Sequence, residues 1–447
     1  LAEPLTAAPV DPSAAAAWLD GLYDAERTGR LGAPTLERIS AVVAALGHPE
    51  AAYPVIHVTG TNGKGSTAAM TAALLRATGR RVGVYSSPHL ENLAERVALD
   101  GRPVSTDDMW SAVAAVASAA ERCGTRPTWF EAVTAAGLWF FRQARVDVAV
   151  VEVGMLGRWD ATNVVHGAVA VVTNVALDHT DVAGPTRAHI AAEKAGIIEE
   201  GAILVLGETD PGLQAIFEAE HPGRILRLGA ELRWAQRRPL GLDGQIVDLH
   251  TPWGEHPGVR IASLGRHQCD NAALALGAAE ALLAEALPES ALTALSVPVI
   301  PGRLEVVSRS PTVLVDGAHN PAGAAALRSA LEELDAVGTA RRRWALVCGV
   351  LSGRDPEEYL REVGVGRFDT VVATEPPSPR ALSAGDLAEA VSAAGGRFPA
   401  VIEADAVTAL GRARAAVGPE GLVVVTGSLY LVGALRRPHP ERNIYEH

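Results

Sequence analysis

Val55-Ile-His-Val-Thr-Gly-Thr-Asn-Gly-Lys-Gly-Ser-Thr67 decides the fold of this chain. The apolar run Val55–Thr59 reads as a buried strand, and the glycine-rich stretch behind it opens a helix over Ser66–Thr78. A strand, a glycine-rich turn and a helix N-terminus together aim backbone N–H groups at one point, the geometry that binds phosphate. Lys64 adds a compact charge at the β- and γ-phosphates. The ordinary phosphate loop has glycine five residues before its Gly-Lys pair and Ser or Thr directly after the lysine. Here Val58 holds the first place and Gly65 the second, so the loop is a variant. Its candidate nucleotide ligands are Gly60, Thr61, Asn62, Gly63, Lys64, Gly65, Ser66 and Thr67.

Outward from this loop, short apolar runs alternate with helical stretches. Strands are expected at Val82–Tyr85, Asp147–Val153, Ala168–Thr173 and Ala202–Leu206, and helices at Phe130–Arg142, Arg187–Glu199 and Asn271–Ala286. That alternation predicts an α/β fold with a mainly parallel sheet flanked by helices. Residues 224–262, with short runs between Gly and Pro turns, read as a small β-rich insertion. Two prolines in Leu295-Ser-Val-Pro-Val-Ile-Pro-Gly302 disfavour helix and mark a linker at 298–302. Beyond it a second series begins, with strand candidates Thr312–Asp316, Ala345–Gly349, Thr370–Thr374 and Leu422–Thr426. The expected organisation is a loose leader over 1–17, a larger domain over 18–297 and a smaller one over 303–447.

Composition narrows the class. A formal charge of −13 with no basic tract argues against a nonspecific nucleic-acid or anionic-membrane binder. Cys123, Cys269 and Cys348 are too scattered for a disulfide framework or a zinc cluster; they read as buried small hydrophobes in a reducing compartment, the cytoplasm. No stretch reads as a signal peptide or membrane span. Of 39 basic residues only Lys64 and Lys194 are lysine. Both are therefore candidates for work a guanidinium cannot do, as a compact point charge or a nucleophilic amine.

Eight stretches in order carry a resemblance: His57–Thr67, Tyr85-Ser-Ser-Pro-His-Leu90, Glu95-Arg-Val97, Glu152–Asn163, Leu177-Asp-His-Thr-Asp181, Glu193-Lys-Ala-Gly196, Pro301-Gly-Arg303 and Asp316-Gly-Ala-His-Asn-Pro321. Together they resemble the motif set of the folylpolyglutamate synthase/dihydrofolate synthase family, within the Mur ligase superfamily. The resemblance implies a larger N-terminal ATP-binding domain and a smaller Rossmann-like C-terminal domain, acting as a monomer with the site in the cleft between them. It implies ATP, L-glutamate and dihydropteroate or a reduced folate as substrates, joined through an acyl phosphate. Phosphate must be made the leaving group because carboxylate oxygen is a poor one. The rivals are a Mur-type ligase for another carboxylate and amino acid, and an ATP-hydrolysing switch.

The resemblance also implies site residues. Magnesium, in two ions, would take Ser87, Glu152 and His179, and Lys194, carbamylated by carbon dioxide, would hold the second ion. Otherwise Lys194 stays unmodified and pairs with Glu193 or a phosphate. From the residues themselves, Glu152 ends an apolar strand, where a carboxylate faces the ligand crevice. His179, between Asp178 and Asp181, reads equally as a turn histidine, since imidazole is not magnesium's preferred partner. Asn271, Arg303 and Asp316 look like nucleotide contacts, Arg96 and Asp160 like pterin-side residues, and His319 and Ser428 like glutamate-side ones. Thr128-Trp-Phe-Glu131 borders the substrate or packs the core. One departure is visible. The family reads Glu-Val-Gly-Leu-Gly-Gly-Arg-Leu-Asp where this chain reads Glu152-Val-Gly-Met-Leu-Gly-Arg-Trp-Asp160, so Leu156 replaces a glycine. If that position has positive φ, leucine is strained there.

Overall fold

The computed structural model describes residues 12–28, 35–178, 180–297, 300–337 and 343–436. The chain forms two compact units. The first runs to Arg238 and adds Ile246–Ile261 and the stretch beginning at Gln268; the second takes Pro239–Gln245, Ala262–His267 and the chain from Ile300.

The first unit is built on Val55–Thr59 (β1), Val82–Tyr85 (β2), Val97–Leu99 (β3), Arg102–Pro103 (β4), Val148–Glu152 (β5), Gly167–Val172 (β6), Ile203–Leu206 (β7) and Arg224–Arg227 (β8). They form one sheet in the order β4-β3-β2-β5-β1-β6-β7-β8. β2, β5, β1, β6, β7 and β8 are parallel, and β3 and β4 add antiparallel edges. Every residue of β1 and β5 is buried, which is why both read as unbroken apolar runs rather than alternating ones. Val58 stands opposite Glu152 of β5 and Thr59 opposite Val172 of β6, so the loops leaving these strands emerge side by side at one sheet edge.

Four expectations need correction. Residues 1–11 of the expected leader lie outside the described residues, but Pro12–Asp20 is a helix burying Ala15 and Leu19 in the first unit's core. Proline in the first turn, where its missing N–H costs nothing, and the alanine run favour that helix. Arg224–Arg227 is the edge strand of the main sheet; only Arg233–Pro239 (β9), Gln245–Thr251 (β10) and Gly254–Ile261 (β11) form the separate three-stranded sheet. The helix begun at Arg187 stops at Ala195, and Gly196, which follows as its C-cap, leaves room for Arg158, whose Cβ would lie 2.4 Å from a side chain there. Cys269 and Cys348 are buried, whereas Cys123 is exposed in the last turn of Thr106–Cys123.

The second unit holds Glu305–Arg309 (β12), Thr312–Val315 (β13), Trp344–Cys348 (β14), Thr370–Ala373 (β15), Val401–Ile402 (β16) and Leu422–Thr426 (β17). Their order is β12-β13-β17-β14-β15-β16, parallel except for β12. Of the expected linker, Pro298 and Val299 lie outside the described residues, and Pro301 and Gly302 form a turn. Among the described residues no helix is long and apolar enough to cross a membrane.

Candidate active site

The phosphate loop is held open from the β6 side. Thr61 N donates to Asn174 O (2.9 Å), Asn62 N to Asn174 Oδ1 (3.0 Å), and Thr173 Oγ1 and Asn174 Nδ2 both donate to Asn62 O (2.6 and 2.9 Å). Thr61 Oγ1 donates to Ala176 O at 3.1 Å. The clamp spends these loop groups on fixing shape, so the N–H groups opening the helix Lys64–Ala77 are oriented before any anion arrives. Sequence reasoning missed Thr173 and Asn174; their only signal is a polar pair at the end of an apolar strand. Asn271, in the helix His267–Leu283, lies beside the loop. Gly63, at φ +86°, leaves room for it: a Cβ there would lie 2.5 Å from Asn271 Oδ1. Thr67 Oγ1 donates to the same oxygen at 3.4 Å.

Both lysines lie at this loop. Lys64 Nζ donates to Gly60 O and Thr61 O (3.1 and 3.2 Å), and Lys194 Nζ donates to Gly60 O at 2.7 Å. Lys194 is buried, and its amine is held well below the ordinary lysine pKa, first by burial and then by the charge of Lys64. A buried amine at a phosphate loop thus protonates far less readily than an exposed one.

Glu152 is also buried, at the end of β5. Ser87 N donates to its Oε2 at 3.3 Å, so two of the three expected metal residues are neighbours, while His179 lies outside the described residues. A Cβ on Gly65 would stand 3.3 and 3.4 Å from the two Glu152 oxygens. A side chain there, as an ordinary phosphate loop has in its Ser or Thr, would crowd this carboxylate. Hydroxyl and carboxylate oxygens beside an anion-binding helix end are the donor set a magnesium ion takes, with phosphate and water completing its shell.

Arg96 is wholly buried. Its Nη1 and Nη2 donate to the two oxygens of Glu26 (2.9 and 2.6 Å), its Nε donates to His89 Nδ1 (2.9 Å), and its guanidinium lies 4.7 Å from the Trp129 ring centroid. Since Nε can only donate, His89 accepts at Nδ1 and carries its proton on Nε2. Burial, then the charge of Arg96, keeps that imidazole below its ordinary pKa. Trp129 thus packs on Arg96, and Phe130 lies near Tyr85 at 6.3 Å between ring centroids. Glu131 receives Arg38 and forms a capping box with Thr128.

In the second unit the loops after β13 and β17 meet. Asp316 accepts from Leu304 N and Ala318 N, both at 2.9 Å, and the guanidinium of Arg303 lies against Gly317. His319 Nδ1 donates to Gly317 O at 2.8 Å, which puts the proton of that imidazole on Nδ1. Ser428 is buried and its Oγ accepts from Tyr430 N at 3.1 Å. Tyr359 braces both loops, donating to Ala318 O (3.0 Å) beside Thr426 Oγ1 (2.8 Å). The expected Arg303, Asp316, His319 and Ser428 therefore gather at one edge of this sheet; Tyr359 was not foreseen.

Comparison with known proteins establishes the family. Residues 58–279 match the Mur ligase middle domain, and residues 302–429 match the Mur ligase glutamate ligase domain. A dihydrofolate synthase/folylpolyglutamate synthase of Mycobacterium tuberculosis is 38% identical over 391 residues, covering 82% of this chain and 78% of the relative. The chain belongs to the folylpolyglutamate synthase/dihydrofolate synthase family. Among solved structures, M. tuberculosis folylpolyglutamate synthase complexed with ADP and AMPPCP superposes with a TM-score of 0.87 at 35% identity, covering 96% of this chain and all of that one. A bifunctional folylpolyglutamate synthase/dihydrofolate synthase with Mn, AMPPNP and L-glutamate bound gives 0.80 at 32% identity, covering 96% and 97%.

The loop after β5, where the resemblance leads one to expect a departure from the folylpolyglutamate synthase/dihydrofolate synthase pattern, has a distinctive backbone. Leu156 has φ +63°, the left-handed region that suits glycine. Thr59 Oγ1 donates to its carbonyl at 2.5 Å, and its side chain packs on the cluster around Ile190 and Ile197. Asp160 does not stand open to solvent. Its carboxylate accepts from Met155 N (2.7 Å), Thr162 N (2.9 Å) and Thr162 Oγ1 (2.6 Å), with a further bond from the Gly154 backbone. Burial raises its pKa while these four donors oppose the rise. A carboxylate has about four lone-pair sites, so Asp160 is occupied by its own loop.

Proposed function

We propose that this chain is an ATP-dependent amide ligase that adds L-glutamate to the carboxylate of dihydropteroate, a reduced folate, or both. The substrate carboxylate oxygen attacks the γ-phosphorus, ADP leaves, and an acyl phosphate results. The glutamate amine then attacks the acyl carbon, and the tetrahedral intermediate expels phosphate as the amide forms. The observation that carries this reading is the convergence of Lys64, Lys194 and Glu152 on one preformed phosphate loop. Such chemistry asks mainly for anions held in place and transferring charge stabilised.

In this reading the phosphate loop and Asn271 hold ATP, and Lys64 balances the β- and γ-phosphates. Arg303 and Asp316 of the second unit serve the nucleotide, and His319 and Ser428 serve glutamate. Arg96 and the loop organised by Asp160 serve the pterin side. The two compact units are the functional domains of a cytoplasmic monomer, with Pro239–Gln245 and Ala262–His267 counted with the second rather than within 18–297. Ser87 and Glu152, with His179, would hold magnesium, which supplies charge neutralisation on the phosphates. The amine of Lys194 donates to Gly60 O, at the rim of the phosphate loop. A carbamate on it would turn the amine into an oxygen ligand for a second ion, a conversion open to a primary amine and closed to guanidinium.

The test is phosphate release with dihydropteroate and tetrahydrofolate offered separately, with and without L-glutamate, and the product mass measured. The reading requires one added glutamate residue per phosphate released. Phosphate release indifferent to glutamate would replace the ligase with an ATP-hydrolysing switch.

A further inference from the structure

His57 belongs to none of the roles above, yet it is wholly buried in the middle of β1, three residues before the phosphate loop. Its Nε2 lies 3.0 Å from Thr162 Oγ1, and that hydroxyl donates to Asp160 Oδ1 at 2.6 Å. Because the hydroxyl proton is committed to the carboxylate, the hydroxyl must accept from His57. The imidazole therefore carries its proton on Nε2 and leaves Nδ1 a bare acceptor. Nδ1 is buried without a hydrogen-bond partner. Burying an unsatisfied polar atom is costly, so an apolar residue would suit this strand better unless the Nε2 proton has work to do.

A second tether points the same way. Side chains two apart on a strand share a face. From that face Thr59 Oγ1 reaches Leu156 O, in the same loop that His57 reaches through Thr162. β1 therefore grips the 154–163 loop at two points, while its own end leads into Gly60.

The geometry points to His57 as a positioning residue that holds the substrate loop, through Thr162 and Asp160, in fixed relation to the phosphate loop. The assignment rests on the proposed reading of 154–163 as the pterin-side loop. Thr162→Val keeps the shape and removes the hydroxyl link; His57→Phe fills the space without a donor; His57→Gln offers a donor again. The first two should raise the pterin-substrate KM about tenfold, the equivalent of one lost buried hydrogen bond, with the ATP KM within about twofold of wild type. His57→Gln should recover part of the loss, and the double variant Thr162→Val/His57→Phe should be no worse than the poorer single one.

Hydrogen exchange supplies a readout independent of turnover. In both single variants the amides of Met155 and Thr162 should lose protection while those of 60–67 keep it. An unchanged pterin KM, a parallel rise in ATP KM, additive effects, or unaltered exchange at Met155 and Thr162 would each overturn the assignment. Wild-type protein without glutamate-dependent turnover would instead overturn the ligase reading, leaving the exchange data to judge His57.

Discussion

Lys64 and Lys194 donate to the same carbonyl oxygen, that of Gly60, at 3.1 and 2.7 Å. Burial penalises the charged form of the inner amine, and repulsion from a second ammonium on the same oxygen adds to that penalty. The conflict eases when Lys194 is the group that gives up its proton, in line with the downward direction of its pKa. Of the two lysines of this arginine-rich chain, Lys194 is the one whose amine gives up its proton more readily than an ordinary lysine.

Lys194→Arg should lower kcat about a hundredfold or more, while nucleotide affinity by calorimetry stays within a few-fold of wild type. Stripping dissolved carbon dioxide should slow the wild-type enzyme, and bicarbonate should restore it. Near-normal turnover of the arginine variant would end the carbamate reading. Lys64→Ala should instead weaken ATP use directly.

Leu156 gives a stability test with an unusual order. Leu156→Ala loses packing and keeps the left-handed backbone, whereas Leu156→Gly loses the same packing and relieves the strain. Glycine should be the more stable replacement by about 1 kcal/mol, measured by urea denaturation. Alanine winning would mean that this position carries no backbone strain.

Arg96 is buried with Glu26 as its bidentate partner, and Glu26 keeps 30% of its side chain exposed. Glu26→Gln should cost about 2–3 kcal/mol, below the cost of breaking a fully buried pair because water reaches the carboxylate. Arg96→Lys should not be tolerated better than Arg96→Met, since an ammonium cannot span Glu26, His89 and Trp129 together. Chemical denaturation of the three variants checks both statements.

Burial pushes His57 down to about 3 from an ordinary value near 6.5. Between those values the unfolded chain binds a proton that the folded chain refuses. The stability held above pH 6.5 is therefore lost as pH falls towards 3, by about 2 kcal/mol at pH 5. The stability difference between wild type and His57→Gln should shift against wild type by that amount from pH 7 to 5. Parallel pH profiles would show that His57 protonates without unfolding.

Much of the frame was legible because parallel strands buried on both faces must be continuously apolar. β1, β2 and β17 have the expected bounds, and β5 to β7 and β13 to β15 differ by a residue or so. β3, β4 and β12 are antiparallel edges with polar neighbours and send no such signal. In the site, Gly60–Thr67 announced itself because its chemistry is local. Asn174 on Asn62 and Glu26 on Arg96 join residues 112 and 70 positions apart, and no local pattern records such pairings. Leu156 stood out at once, but only the backbone showed how the loop accommodates it.

Gly65 has a consequence beyond its own loop. One substitution, Gly65→Ser, would give this chain the Gly-Lys-Ser of an ordinary phosphate loop, yet its Cβ would press on Glu152 at 3.3 Å. The serine could enter only as the carboxylate on β5 gives way by a few tenths of an ångström, so the change at one loop would be felt first at the end of another strand.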